Sequence, residues 1–300
     1  MKAHRLSFVF LVAASLLVGW RPLLATFTLA LRNDQFTHIL LILPVSLALI
    51  FLEWPSLRGK FTPDVRAGSA LLVIAILAAT FATVRSSALP PDLQLSIRMF
   101  ALVIFWIGAC VLCFGLRVAQ SLLFPLCFLF WLIPFPQLLL TAVVSLLQHG
   151  SAATAHWLFT AAGVPVSQDG VVLNIPGLTV EVSKECSSIR SSSMLLVTTM
   201  VLAQVILRSA WRKALVIAVA VPLSVAKNGL RIFTISMLGT RVDPGYLTGR
   251  FHHQGGIVFF AVALAVVFVL IWFLKRQEHA GTETPPLLPA RPIEGKALNL

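Results

Sequence analysis

The chain alternates between long apolar runs and short polar interruptions. A helix needs roughly 20 apolar residues to cross the hydrocarbon core of a bilayer. Runs that meet or approach this length are 6–31, 38–53, 67–86, 95–115, 118–134, 188–207, 213–238 and 256–274. They predict an all-α polytopic membrane protein with about eight transmembrane helices. A further stretch, 137–163, is apolar but carries Gln137, Gln148, His149 and His156. It reads either as a span or as an amphipathic helix lying in the interface. After it the period changes. Val164–Val166, Val171–Ile175 and Leu178–Val182 are β-like and are broken by Asp169-Gly170 and Pro176-Gly177. A small β-hairpin segment is therefore expected over 164–185.

The ends complete the outline. Met1–Arg5 is basic and an apolar run follows, as in a signal peptide. More apolar sequence comes next instead of a cleavage site, so a retained first span is expected, interrupted by Arg21 and Pro22. The tail 275–300 is rich in Pro, Glu and Thr and is expected to be disordered. That leaves 1–274 as a single integral-membrane domain.

Composition fixes the class. Apolar residues make up 58% of the chain and charged residues 11%, against about 25% in soluble domains. The net charge of +12 does not indicate a nucleic-acid partner, because the cations are spread through short loops. In a membrane protein such loops set orientation. If 137–163 lies along the outer interface, Lys2, Arg5, Arg58, Lys60, Arg66, Arg117, Arg208, Arg212, Lys213, Lys275 and Arg276 all fall on the cytoplasmic side. If it spans, the 208–213 and 275–276 clusters move outside, against the positive-inside rule. The first arrangement is preferred. It gives a multi-pass protein of the inner (plasma) membrane with both termini cytoplasmic.

That orientation brings three chemical groups to one level near the outer, extracytoplasmic face. Cys186 lies at the start of the sixth span, Arg231 in the outer half of the seventh and His252 at the start of the eighth. A thiol, a guanidinium and an imidazole supply a nucleophile, an oxyanion partner and a general base for acyl transfer. Cys186 is flanked by Lys184, Glu185, Ser187, Ser188 and Arg190 at a helix entrance, a setting that lowers a thiol's pKa. Of the four cysteines, Cys110, Cys113 and Cys127 lie inside apolar runs and read as packing residues. Ser224, Lys227, Asn228 and Arg231 form a polar stripe at helical spacing. Lys227 reads as a cation snorkelling to the interface or pairing with lipid phosphate. Asn228 is a candidate second donor or a group that orients the histidine. His253 competes with His252, and His38, His149 and His156 are runner-up bases or a weak case for a metal site.

Other chemistries lack their residues. There is no paired intramembrane Asp, no His-Glu-x-x-His, no Gly-x-Ser-x-Gly and no Walker sequence. No cofactor or metal site is expected. The rival to an enzyme is a non-enzymatic membrane component of exopolysaccharide or lipid export, in which Lys227 and Arg231 hold a lipid phosphate.

The motifs together resemble the exosortase/archaeosortase family of membrane-embedded cysteine transpeptidases. The resemblance rests on Asn33–His38, on Phe124-Pro125-Leu126 through Ile133-Pro134-Phe135-Pro136, and on three stronger elements. These are Cys186-Ser187-x-Ile189-Arg190, Asn228-x-x-Arg231 and His252-x-x-x-Gly256-x-x-x-Phe260. Ser188 stands where family members usually have Gly. The resemblance implies Cys186, Arg231 and His252 as the catalytic set, with the spacing to Gly256 favouring His252 over His253. It also implies the substrates: exported, membrane-anchored proteins ending in a motif, one transmembrane helix and a basic tail. Such a signal would be cleaved and its acyl group passed to an acceptor.

Overall fold

The computed structural model describes residues 2–57, 61–182, 189–248 and 250–280, with the backbone alone for 2–3, 248, 250–255 and 279–280. The helices are α1 (Lys2–Arg32), α2 (Ile39–Leu57), α3 (Val65–Val84), α4 (Pro91–Phe114), α5 (Leu116–Ser121), α6 (Leu123–Phe128), α7 (Gln137–Ala161), α8 (Ile189–Ile206), α9 (Ala210–Arg241), α10 (Gly245–Thr248) and α11 (Arg250–Ala280). Strands β1 (Ser167–Asp169), β2 (Val172–Ile175) and β3 (Leu178–Glu181) form one antiparallel sheet in the order β1-β2-β3. The protein is a polytopic all-α membrane protein. Eight of the described helical segments are long and apolar enough to cross a bilayer.

Hydrogen bonds define two poles of the bundle. At the first, Arg190 before the second turn of α8 pairs with Asp34 between α1 and α2 at 3.0 Å. There too Ser96 Oγ donates to the Pro134 carbonyl at 2.7 Å, and the Gln137 amide donates to the Asp92 carboxylate at 2.6 Å. At the second pole, Thr62 N–H donates to the Phe114 carbonyl, and Asp64 caps α3 through the Ala67 amide. Glu53, late in α2, faces Gln204 and Lys213 there. The Glu278 carboxylate accepts from the Arg208 and Ser209 amides. An acid at the start of a helix meets the positive end of its dipole, so Glu278 ties the end of α11 to the start of α9.

One expected span is built differently. Residues 118–134 do not form a single helix: α5 stops at Ser121, α6 begins at Leu123, and a 3₁₀ turn covers Leu129–Leu132. Pro125 has no N–H to give to the Ser121 carbonyl, and the helix breaks there. The broken segment still travels the length of α4. It starts beside Thr62, where Gly115 turns with φ 92°, and it ends at Pro134 against Ser96.

α7 is one of the eight long apolar helices. Its start is held at the first pole by Asp92. Its second half runs parallel to α9, with Gly150 against Val225, Thr154 against Gly229 and Phe159 on Phe233. That part of α9 is level with the start of α8, since Lys227 donates to the Ser191 hydroxyl.

α11 stays helical to Ala280, so residues 275–280 are not part of the disordered tail expected there, and Glu278 is engaged as described above. The tail's remaining residues lie outside the described ones. Cys110 and Cys113 are buried, as packing residues should be, whereas Cys127 is exposed on the surface of α6. The packing role expected for Cys127 is therefore not an interior one.

The strands fall between the turns that the sequence marked. Gly170 and Gly177 take φ of 59° and 80°, the left-handed region where a side chain is strained. The first strand is Ser167–Asp169 rather than Val164–Val166, because Asp169 must stand opposite Val172 for the turn to close.

Candidate active site

The polar stripe of α9 is buried at the first pole. Ser224, Lys227 and Asn228 are all inside the protein, and Arg231 is half-buried. Each polar group removed from water needs a partner. Lys227 finds the Ser191 hydroxyl on α8, and the Asn228 amide donates to Ser151 Oγ on α7 at 2.9 Å. Lys227 thus does not snorkel toward lipid as expected. It bridges α9 and α8 from within.

Arg231 borders a cleft of about 230 Å³. One wall is β3 with Val182; the other is α9, with Asn228, Ile232 and Ser236. Leu247 of α10 closes an end. The sheet is held in place by α7, whose Gln148 side chain donates to the Val182 carbonyl at 2.7 Å. On its other side the Arg231 guanidinium meets α11. A Cβ built on Gly256 would lie 3.9 Å from Nη1 of Arg231.

Of the residues expected from sequence, Arg231 and Asn228 share this cleft. His252 and His253 occupy the first turn of α11, whose backbone alone is described there. His252 precedes Gly256 by four residues, one helical turn. Cys186 and Ser187 lie outside the described residues. The described residues that flank them are in the site: Val182 lines the cleft, and Ser191 holds Lys227.

Two of the runner-up histidines go elsewhere. His38 is buried, edge-on to Trp131 with centroids 5.8 Å apart. His149 turns back to its own helix, bonding the Ser145 carbonyl at 2.8 Å. Sequence reading missed Gln148, Ser151 and Ser191. The first two stand three apart in the stretch already marked as polar for a span, which was the available signal.

Fold and site together define a multi-pass membrane protein with a polar, arginine-bearing cleft at one pole of its helix bundle. Residues 30–269 match the family model described as Transmembrane exosortase (Exosortase_EpsH), and the chain belongs to that family. No curated protein and no solved structure matches the chain. Membership assigns a membrane transpeptidase type of role, exercised on exported proteins.

Proposed function

We propose that this exosortase is a cysteine peptidase or transpeptidase that cleaves a C-terminal sorting signal at the outer membrane–water interface. Cys186 is the nucleophile, Arg231 the oxyanion partner and His252 the general base. One observation carries the reading. The cleft that holds the Arg231 guanidinium is bordered by Val182, four residues before Cys186, and the same guanidinium meets Gly256, one turn after His252.

The chemistry balances without a cofactor. The thiol proton of Cys186 passes to His252, and sulfur bonds to the scissile carbonyl carbon. Charge that develops on the carbonyl oxygen is met by Arg231, with Asn228 beside it. The C–N bond then breaks, and His252 returns the proton to the departing amine. A thioester remains, and an amine acceptor or water resolves it. Removal from water makes each of these charges count for more.

The β3 edge supplies a way to hold an extended substrate. Val182 N–H donates to the Val171 carbonyl, and the register Leu173↔Val180 continues that pairing. Bonds to β2 therefore alternate through residues 182, 180 and 178, and the backbone groups of Thr179 and Glu181 point to the cleft side of the sheet edge. An added strand would bond there.

The orientation proposed is outer for this pole and cytoplasmic for residues 208–213. It is supported by the charge count, which keeps the 208–213 and 275–276 clusters on the cytoplasmic side. Against the export-component rival stands Lys227, which is buried and engaged with Ser191.

The test is to trap the intermediate. Membranes holding the enzyme and an anchored substrate should yield a hydroxylamine-sensitive adduct of enzyme and substrate fragment. The adduct should be absent for Cys186→Ala. An adduct of unchanged yield in that variant would refute the assignment.

A further inference from the structure

A second cavity, of about 530 Å³, opens on the side of the bundle formed by α1, α3 and α4. Arg21 and Arg98 both line it, and the rest of its wall is almost entirely apolar, including Ala75, Ile76, Leu102 and Phe105. Among the described residues, none of these helices lines the Arg231 cleft.

Two cations that border one largely apolar cavity repel each other, so the arrangement calls for an anion. Among the described residues, no Asp or Glu lines the cavity and neither arginine has an ion pair. Nε of Arg98 is buried with no hydrogen-bond partner among the described residues. Arg21 lies over the Trp20 ring at 5.6 Å, which fixes its stem and leaves its donors available. The hydroxyl of Ser15 is already engaged, accepting from Trp106 Nε1 at 2.9 Å and donating to the Val12 carbonyl. A further acceptor is present. Pro22 lacks the N–H that would bond the Val18 carbonyl, and Val18 lines the same cavity.

Depth selects the source of the anion. Arg21 lies eleven residues before the end of α1, about 16 Å along the axis. The 31 residues of α1 extend about 46 Å, some 16 Å more than a hydrocarbon core; with that excess shared between the ends, Arg21 stands about 8 Å inside the boundary, a depth from which an arginine reaches up to lipid phosphates. Arg98 is seven residues into α4, about 10 Å from the same pole. An anion at that depth with an apolar groove beside it is a lipid headgroup. We propose that this cavity binds one anionic phospholipid: its phosphate bridges Arg21 and Arg98, a headgroup hydroxyl donates to the Val18 carbonyl, and an acyl chain lies along Ala75, Ile76 and Leu102.

The experiment is native mass spectrometry of the full chain in detergent, titrated with phosphatidylglycerol or with phosphatidylcholine of the same chains. The wild type should take the first phosphatidylglycerol about tenfold more tightly, because its headgroup carries a net negative charge to two arginines whereas the choline cation of phosphatidylcholine offsets its own phosphate. Arg21→Gln with Arg98→Gln should bind both lipids alike. Arg66→Gln with Arg117→Gln, exposed at the other pole, should keep the preference. Soluble glycerol phosphate should not displace the lipid. Equal binding by the wild type, an undiminished preference in the Arg21/Arg98 variant, an equal loss in the Arg66/Arg117 variant, or full displacement by glycerol phosphate would each overturn the proposal. Should the double variant not fold, Arg21→Gln alone, at an exposed position, must lower the preference about threefold or the proposal fails.

Discussion

The guanidinium of Arg231 and the backbone of Gly256 stand in direct proximity, with a Cβ at 256 falling 3.9 Å from Nη1. The distance is ordinary van der Waals contact, so one added methyl fits and a larger side chain does not. Gly256→Ala should therefore process substrate at close to the wild-type rate. It should also unfold later, because Gly in a helix costs about 1 kcal/mol relative to Ala. Gly256→Leu would push the guanidinium aside and should lower turnover by roughly 100-fold while the protein still accumulates. Equal turnover by the Leu variant would show that the position of Arg231 does not matter.

The α7–α9 contact permits a packing test that leaves the chemistry alone. A Cβ on Gly229 would come within 2.5 Å of Thr154 Cβ. Gly229→Ala should cost about 1–3 kcal/mol as overpacking, seen as a lower thermal midpoint in detergent. Thr154→Gly in the same chain removes the clashing atom and should restore part of the loss. Thr154→Ala removes Cγ2, at 2.6 Å, but keeps Cβ and should restore less. Rescue by Ala as fully as by Gly would mean that the two helices are not this close.

Orientation can be read with single cysteines in a chain freed of its own four. Gln168→Cys on β1 should react with an impermeant thiol reagent in intact cells. Ser209→Cys, between α8 and α9, should react only after the membrane is opened. Labelling of position 209 from outside would contradict the shared outer site.

Much of this architecture was legible in the chain because its signals are local. Hydropathy over a 20-residue window marks a helix whatever surrounds it. Asp169-Gly170 and Pro176-Gly177 fix the sheet through backbone conformations that glycine adopts at no steric cost. The i, i+3, i+4, i+7 spacing put Lys227, Asn228 and Arg231 on one face before any partner was known. What was not legible depends on contacts distant in sequence. Ser151 is a site residue only because α7 packs beside Asn228, 77 positions away. Lys227 reads as a snorkelling cation until Ser191 is placed against it. The break at Pro125 shows the limit of hydropathy, which registers apolar character but not a missing N–H.

Arg231→Lys separates an oxyanion role from a charge that merely anchors. Lysine keeps the charge but replaces a planar, multi-donor fork with a point charge on another stem. Turnover should fall ~100- to 1,000-fold, nearly as far as for Arg231→Ala. Lys227→Ala should keep far more activity, since Lys227 bonds a hydroxyl of α8. Near wild-type turnover by Arg231→Lys would argue for the lipid-phosphate role.

The most direct test of the central claim is the turnover of a membrane-anchored sorting substrate by Cys186→Ala in matched membranes, with enzyme abundance measured in parallel. Processing should be abolished while the protein accumulates normally. Cys110→Ala, Cys113→Ala and Cys127→Ala should retain it, because two of those thiols are buried and the third faces out from α6. Full processing by Cys186→Ala would contradict the account.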